Sequence, residues 1–266
     1  MEAAEPVKGD NFDPRLFSLL LVLNIIAALL AIPYGNILSG RPAIDPNRLV
    51  YVVPLQIILT LFIYTIVISI GINLSERYGY DEPVFKSFLY KKDYPENIKQ
   101  ILSYSFLAGL SVGIFLMVLS FIWTFLFPVA PVKHINNPGP LYGVMISISA
   151  GISEETLFRF FLLQVFIWLG MFLIKGEYVK SARLLFWTAN LLSGVIFGIA
   201  HISNLAVIGA EINFSTIIFT ITLNLIAGMS FGYLFFRYGL LSAMIAHFST
   251  DIILHVIWPA LMQMFH

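Results

Sequence analysis

The 266-residue chain is 59% hydrophobic and 11% charged, with a mean hydropathy of +0.87, which excludes a soluble globular enzyme and points to a polytopic membrane protein. Its 15 basic and 15 acidic residues cancel, so nothing in the charge balance suggests nucleic acid or another strongly charged macromolecule as a partner. With no cysteine there is no disulfide, no thiol nucleophile and no thiolate metal site, and any catalysis must use oxygen and nitrogen groups.

The first residues, Met1-Glu2-Ala3-Ala4-Glu5, lack the basic start of a secretory signal. The apolar run 16–38 is also longer than a signal's core, so it reads as a retained first span. Further windows of about 20 apolar residues, enough to cross hydrocarbon at about 1.5 Å per residue, lie at 49–72, 101–127, 141–174, 184–203, 215–236 and 240–260. The expected fold is all-α: one integral membrane domain over 1–266, a transmembrane helical bundle of seven helices with eight as the alternative. The motif-bearing core is expected at about 141–260. The window 141–174 is long enough to be bent, strongly tilted or divided near Gly151.

The connections carry unequal charge. Lys8, Arg15, Arg77, Lys86, Lys91, Lys92, Lys99, Lys175, Lys180, Arg183 and Arg237 fall on the N-terminal side, against Arg41, Arg48 and Lys133 on the other. The positive-inside rule then predicts a cytoplasmic N-terminus, with the cell membrane as the expected location. The connection 73–99 interleaves Tyr78, Tyr80, Phe85, Phe88, Tyr90 and Tyr94 with lysines, a mixture suited to the headgroup layer, with substrate docking as the alternative. Gly109 and Gly113, Gly194 and Gly198, and Gly228 and Gly232 have the four-residue spacing of close helix packing.

Polar groups inside the spans carry the functional signal, because each charge there costs about 2.5 to 3.5 kcal/mol at the centre of a helix. Ser153-Glu154-Glu155-Thr156-Leu157-Phe158-Arg159 places Glu155 and Arg159 on one helix face in the favourable order for an ion pair. Glu154 points about 100° away and needs another partner, which leaves one acid free for chemistry. In the next span Phe197 and His201 share a face, as does Asn190. In the last span His247, Asp251 and His255 form a polar stripe, His255 being nearest the interface. Thr216, Thr220 and Asn224 form another, read as interhelical hydrogen bonding.

Glu-Glu-x-x-x-Arg on Glu154, Glu155 and Arg159, then Phe-x-x-x-His on Phe197 and His201, then His-x-x-x-Asp on His247 and Asp251 resembles the CAAX protease and bacteriocin-processing family (CPBP), which includes the Rce1-type prenyl endopeptidases. The resemblance implies an intramembrane endopeptidase acting on a membrane-associated peptide or lipidated protein. Glu154 would activate water and His201 would help to hold it. His247 and Asp251 would serve the oxyanion, and Glu155, Arg159 and Phe197 would be supporting groups. Asp251 stands where the prenyl-protease pattern usually has Asn, and an ionised Asp accepts without donating, so it must be protonated or act by orienting His247.

No cofactor is expected. Glu154, His201 and His247 would be the set for zinc if a metal were used, but the chain has no His-x-x-x-His pair flanking a glutamate on one helix. A noncatalytic membrane scaffold or immunity protein is the alternative function, and a proton-coupled transporter a further one.

Overall fold

A computed structural model describes residues 12–78, 80, 82–127, 138–174, 178–207 and 209–264. Lys8, Lys133 and Lys175, used in the charge count, lie outside these residues. Eight helices run in chain order: α1 (Pro14–Leu38), α2 (Pro46–Tyr78), α3 (Pro83–Tyr90), α4 (Ile98–Leu126), α5 (Pro140–Leu173), α6 (Tyr178–Ala200), α7 (Phe214–Tyr238) and α8 (Leu240–Gln263). A further helical turn, Ile202–Val207, extends α6. All but the short α3 are long and apolar enough to cross a membrane, which gives the expected seven spans. Among the described residues there is no strand.

Helix α8 is the centre of the bundle. It packs on α4, α5 and α7, while α1 covers α5 and α2, and α6 lies along α7. Glycines make these approaches possible. A Cβ on Gly113 would lie 2.8 Å from that of Ile253, and one on Gly151 would lie 2.9 Å from the carbonyl of Met244. Gly228 comes against Gly194 at 3.1 Å on the same measure. The three glycine pairs are therefore seams, as their spacing suggests.

The long span α5 is not divided at Gly151. It stays helical throughout, and its irregularity starts at Thr156, where the hydrogen bonding widens to a π-helix over Thr156–Leu163. Such insertions release carbonyls from the regular ladder. Here Ser193 of α6 donates to Phe158 O at 2.8 Å, and Gln164 donates to Phe160 O at 2.5 Å while accepting from Ser75 of α2 at 3.1 Å. Asn24 of α1 donates to Thr156 Oγ1 at 3.2 Å. A second π segment, Ile253–Ile257, lies in α8 just beyond Asp251.

The connection between α2 and α4 folds onto the end of the bundle where α1 begins. Tyr90 donates to Asp13 Oδ1 at 2.7 Å, and this accepting carboxylate holds the Tyr90 phenol above its ordinary pKa. Burial likewise pushes the Tyr80 phenol up. Phe85 is buried whereas Phe88, Tyr90 and Tyr94 stay exposed, an amphipathic arrangement suited to an interface. Arg77, Lys86, Lys91, Lys92, Lys99, Arg183 and Arg237 gather at this end, and Arg41 and Arg48 at the other.

Candidate active site

Two consecutive carboxylates on α5 diverge into different surroundings. The Glu155 side chain is 0% exposed, and its Oε1 accepts from Arg159 Nη1 at 2.9 Å and from His247 Nδ1 at 2.7 Å. A carboxylate facing a cation accepts, so the His247 proton on this side resides on Nδ1 and Nε2 is turned the other way. The Arg159 guanidinium is 4.5 Å from the Phe197 ring centroid and 5.4 Å from that of Phe231, so aromatic faces and Glu155 together balance a buried cation. Gly228 leaves the space; a Cβ there would lie 3.1 Å from Arg159 Nη2.

Glu154 has a side chain 30% exposed, and its Oε2 lies 3.7 Å from His201 Nε2 and 3.9 Å from His247 Nε2. Those separations are longer than direct hydrogen bonds, so the carboxylate faces both rings without being consumed by either. His201 sits at the turn between α6 and its extension, where its Nδ1 donates to Phe197 O at 2.8 Å and directs Nε2 at Glu154. Phe197 contacts Arg159 and both imidazoles. Its ring is edge-on to His201 at 4.6 Å and to His247 at 5.9 Å, while Phe231 stacks on His247 at 4.8 Å.

Asp251 Oδ2 is 3.6 Å from His247 Nε2, so His247 has a carboxylate near each nitrogen. His255 does not continue that stripe. The π segment starts between Asp251 and His255, and His255 Nδ1 instead pairs with Tyr34 Oη of α1 at 3.2 Å. Asn190 is buried too, but its amide donates to Met229 O at 3.0 Å and braces α6 against α7. The Thr216, Thr220 and Asn224 stripe differs from expectation. Thr216 closes a capping box with Asn213, and Asn224 donates to Thr220 O at 2.8 Å, so these bonds stay within α7 and its cap.

Supporting residues outside the motifs were not visible in the spacing. Tyr64 of α2 donates to the carbonyl of Ser153 at 3.0 Å, one residue from Glu154. A tyrosine and an asparagine deep in apolar spans, Tyr64 and Asn24, are the signals that could have found them, since such groups need partners in lipid. Among the described residues, no group of three His, Asp or Glu side chains is arranged to hold a metal ion.

Glu154, His201, His247 and Asp251 thus lie around one point, with Glu155, Arg159 and Phe197 packed behind them. Residues 136–253 match the family model described as type II CAAX prenyl endopeptidase Rce1-like. Over those residues the chain is similar to that family. All three motifs fall inside the Rce1-like segment, whose family is a protease family, and this supports a CAAX-type intramembrane protease role in general. No curated protein and no solved structure matches the chain.

Proposed function

We propose that the protein is an intramembrane endopeptidase in which Glu154 activates a water molecule to hydrolyse a peptide bond of a membrane-associated substrate, with prenylated CAAX-type proteins as the leading class. The observation that carries this is the position of Glu154: a half-buried side chain whose own Oε2 is buried, makes no direct hydrogen bond and faces two imidazole Nε2 atoms at 3.7 and 3.9 Å, while both Nδ1 atoms are held elsewhere. Such a group can take a proton because no direct hydrogen bond occupies it.

A water seated beside Glu154 and His201 gives one proton to the Glu154 carboxylate, and His201 Nε2 steadies the other hydrogen. The oxygen attacks the peptide carbonyl carbon. Charge then develops on the carbonyl oxygen, where His247 can donate from Nε2 when that nitrogen is protonated; donors aimed at this position are the usual source of acyl-transfer catalysis. Glu154 passes its proton to the departing nitrogen as the C–N bond breaks, leaving a carboxylic acid and an amine. Asp251, an acceptor 3.6 Å from that same Nε2, acts by keeping a proton there and orienting the ring.

We further propose a metal-free reaction in the cell membrane with the N-terminus in the cytoplasm, a single domain over the whole chain, and the lipid bilayer as the other partner. The basic residues gathered at the α1 end support the orientation. The test is to incubate purified protein with prenylated and unprenylated peptides, with and without a chelator, and to identify products by mass. Cleavage of prenylated peptide that persists in chelator is expected. Absence of cleavage under all conditions would overturn the endopeptidase reading in favour of a noncatalytic scaffold, and loss on chelation would assign a metal to Glu154, His201 and His247.

A further inference from the structure

A single residue, Gly239, separates the end of α7 at Tyr238 from the start of α8 at Leu240, and its φ of 90° is a backbone conformation that side chains strain to adopt. The first N–H groups of any helix lack intrahelical acceptors. At α8 the Ser242 N–H is taken by Gly239 O at 3.2 Å, whereas the Leu240 N–H is shut away from water, Leu240 being 0% exposed. Gly239 has no side chain with which to cap it. The acceptor comes from the connection between α2 and α3, where Glu82 Oε2 accepts the Leu240 N–H at 2.8 Å across a sequence separation of 158 residues.

Glu82 is itself held firmly. It is 3% exposed and immediately precedes Pro83 at the start of α3. Two residues earlier, the Tyr80 ring lies 6.1 Å from Phe235 and 6.0 Å from Phe236, at the end of α7. The Tyr80 N–H donates to Ser75 O at 2.9 Å and ties the same stretch to α2. The carboxylate thus reaches the positive end of the α8 dipole from a braced position, combining a charge-assisted hydrogen bond with favourable placement.

What α8 carries is the consequence. His247 follows Leu240 by seven residues, about two turns, and Asp251 by about one turn more. A regular helix transmits any slide or rotation at its start to those side chains, and the His247 Nδ1 bond to Glu155, at 2.7 Å, leaves little play. We infer that Glu82 is a positioning residue for the candidate site. It fixes the axial height and rotation of α8 and thereby aims the His247 ring between Glu155 and Glu154. The effect on rate rests on the endopeptidase reading, whereas the effect on the ring does not. A residue outside the segment 136–253 would then belong to the working parts of the protein.

The test uses the full-length protein in phosphatidylcholine nanodiscs with ring-15N histidine, the His247 signals being identified by their loss in His247→Gln. Glu82→Ala removes the acceptor, Glu82→Asp keeps the charge but falls one methylene short, and Glu82→Gln keeps both length and an acceptor oxygen. The His247 signals should move in Glu82→Ala and Glu82→Asp and hold their wild-type positions in Glu82→Gln, with the His201 signals unchanged throughout. On a cleavable prenylated peptide, kcat should fall about tenfold in the first two with KM within about twofold, and Glu82→Gln should recover to within about threefold. Folded Glu82→Asp protein with wild-type His247 signals would overturn the inference, as would a Glu82→Gln protein disturbed like Glu82→Ala. Should Glu82→Ala fail to fold, the Asp and Gln pair decides alone. If the wild-type protein cleaves nothing, the endopeptidase reading fails while the ring signals still decide the place of Glu82.

Discussion

The two halves of the chain are unlike in what they bury. In the most apolar windows of α1 and α4, 22% of residues are buried, against 39% in α5 and 56% in α8. The C-terminal half holds every motif residue and is the more enclosed in α5, α6 and α8, with α7 as open as α2; the N-terminal half is largely an outward-facing jacket. Yet the jacket reaches inward at a few polar points: Asn24 to Thr156, Tyr64 to Ser153, Ser75 to Gln164 and Glu82 to Leu240. Each contact meets α5 or α8, the two helices carrying the carboxylates and His247. On the proposed reading the motif half supplies the reacting groups, and the other half fixes where they stand.

The sharpest way to test that division lies within the motif half, at two adjacent acids. Glu154→Gln should lower peptide cleavage by about 10³-fold, the range for loss of a general base, while the thermal midpoint stays within about 2 °C. Glu155→Gln should act in the opposite sense, as a stability lesion. Arg159 is 1% exposed and would lose its countercharge, a change that typically costs about 3 to 5 kcal/mol. Paired melting curves and peptide mass spectra of the two variants make the comparison. A Glu155→Gln protein as stable as wild type would remove the ion pair from the list of structural supports.

The seams between halves come next in size. Gly109 of α4 faces the Ala246 carbonyl and lies where a Cβ would come 2.7 Å from Ser249 Cβ, while Thr250 donates to Gly109 O at 2.8 Å. Gly109→Ala should therefore cost about 1 to 3 kcal/mol through forced separation of α4 from α8. It should also lower cleavage, since Ala246 adjoins His247. Gly35 in α1 has nothing within 4 Å of the Cβ it lacks. Gly35→Ala should be neutral or stabilising by up to about 1 kcal/mol, as helix propensity predicts. Thermal midpoints of the two alanine variants, measured side by side, check this.

A smaller effect tests the inward reach of α2. Tyr64→Phe deletes only the hydroxyl that donates to the Ser153 carbonyl. About 1 kcal/mol of stability and a fall of severalfold in kcat, without change in substrate affinity, are expected. Steady-state kinetics on a prenylated peptide separate the two parameters.

What could be read in the sequence follows from what a linear pattern can encode. Span number depends on apolar run length, so all seven were visible, with limits close to those observed. The Glu155 and Arg159 pair lies at helical spacing and was visible for the same reason. The grouping of Glu154 with His201 and His247 needed the motif resemblance, because no local period links three separate helices. Hidden entirely were the contacts whose partners sit on distant elements. The π segment at Thr156 depends on Ser193 and Gln164 taking up the carbonyls it frees, and the Glu155 bond to His247 depends on how α5 and α8 cross. The stripe on α7 misled for a related reason: Asn224 and Thr216 found acceptors in their own helix and cap, a choice that periodicity alone cannot distinguish from bonding to a neighbour.

The smallest predicted effect on cleavage concerns His255, which shares a helix with His247 and reads with it in the sequence as one polar stripe. The two differ in every relevant contact. His247 is bonded to Glu155 and faces Glu154 and Asp251, whereas His255, beyond the start of the π segment, meets the hydroxyl and the ring edge of Tyr34. His255→Ala therefore removes one hydrogen bond between α8 and the jacket, worth about 0.5 to 1.5 kcal/mol, and nothing from the reacting set. Cleavage should remain within about twofold of wild type, while His247→Ala should lose nearly all of it. If His255→Ala were as damaging as His247→Ala in a folded protein, the far end of α8 would belong to the site, and the boundary between reacting core and supporting jacket would have to be moved outward to include Tyr34.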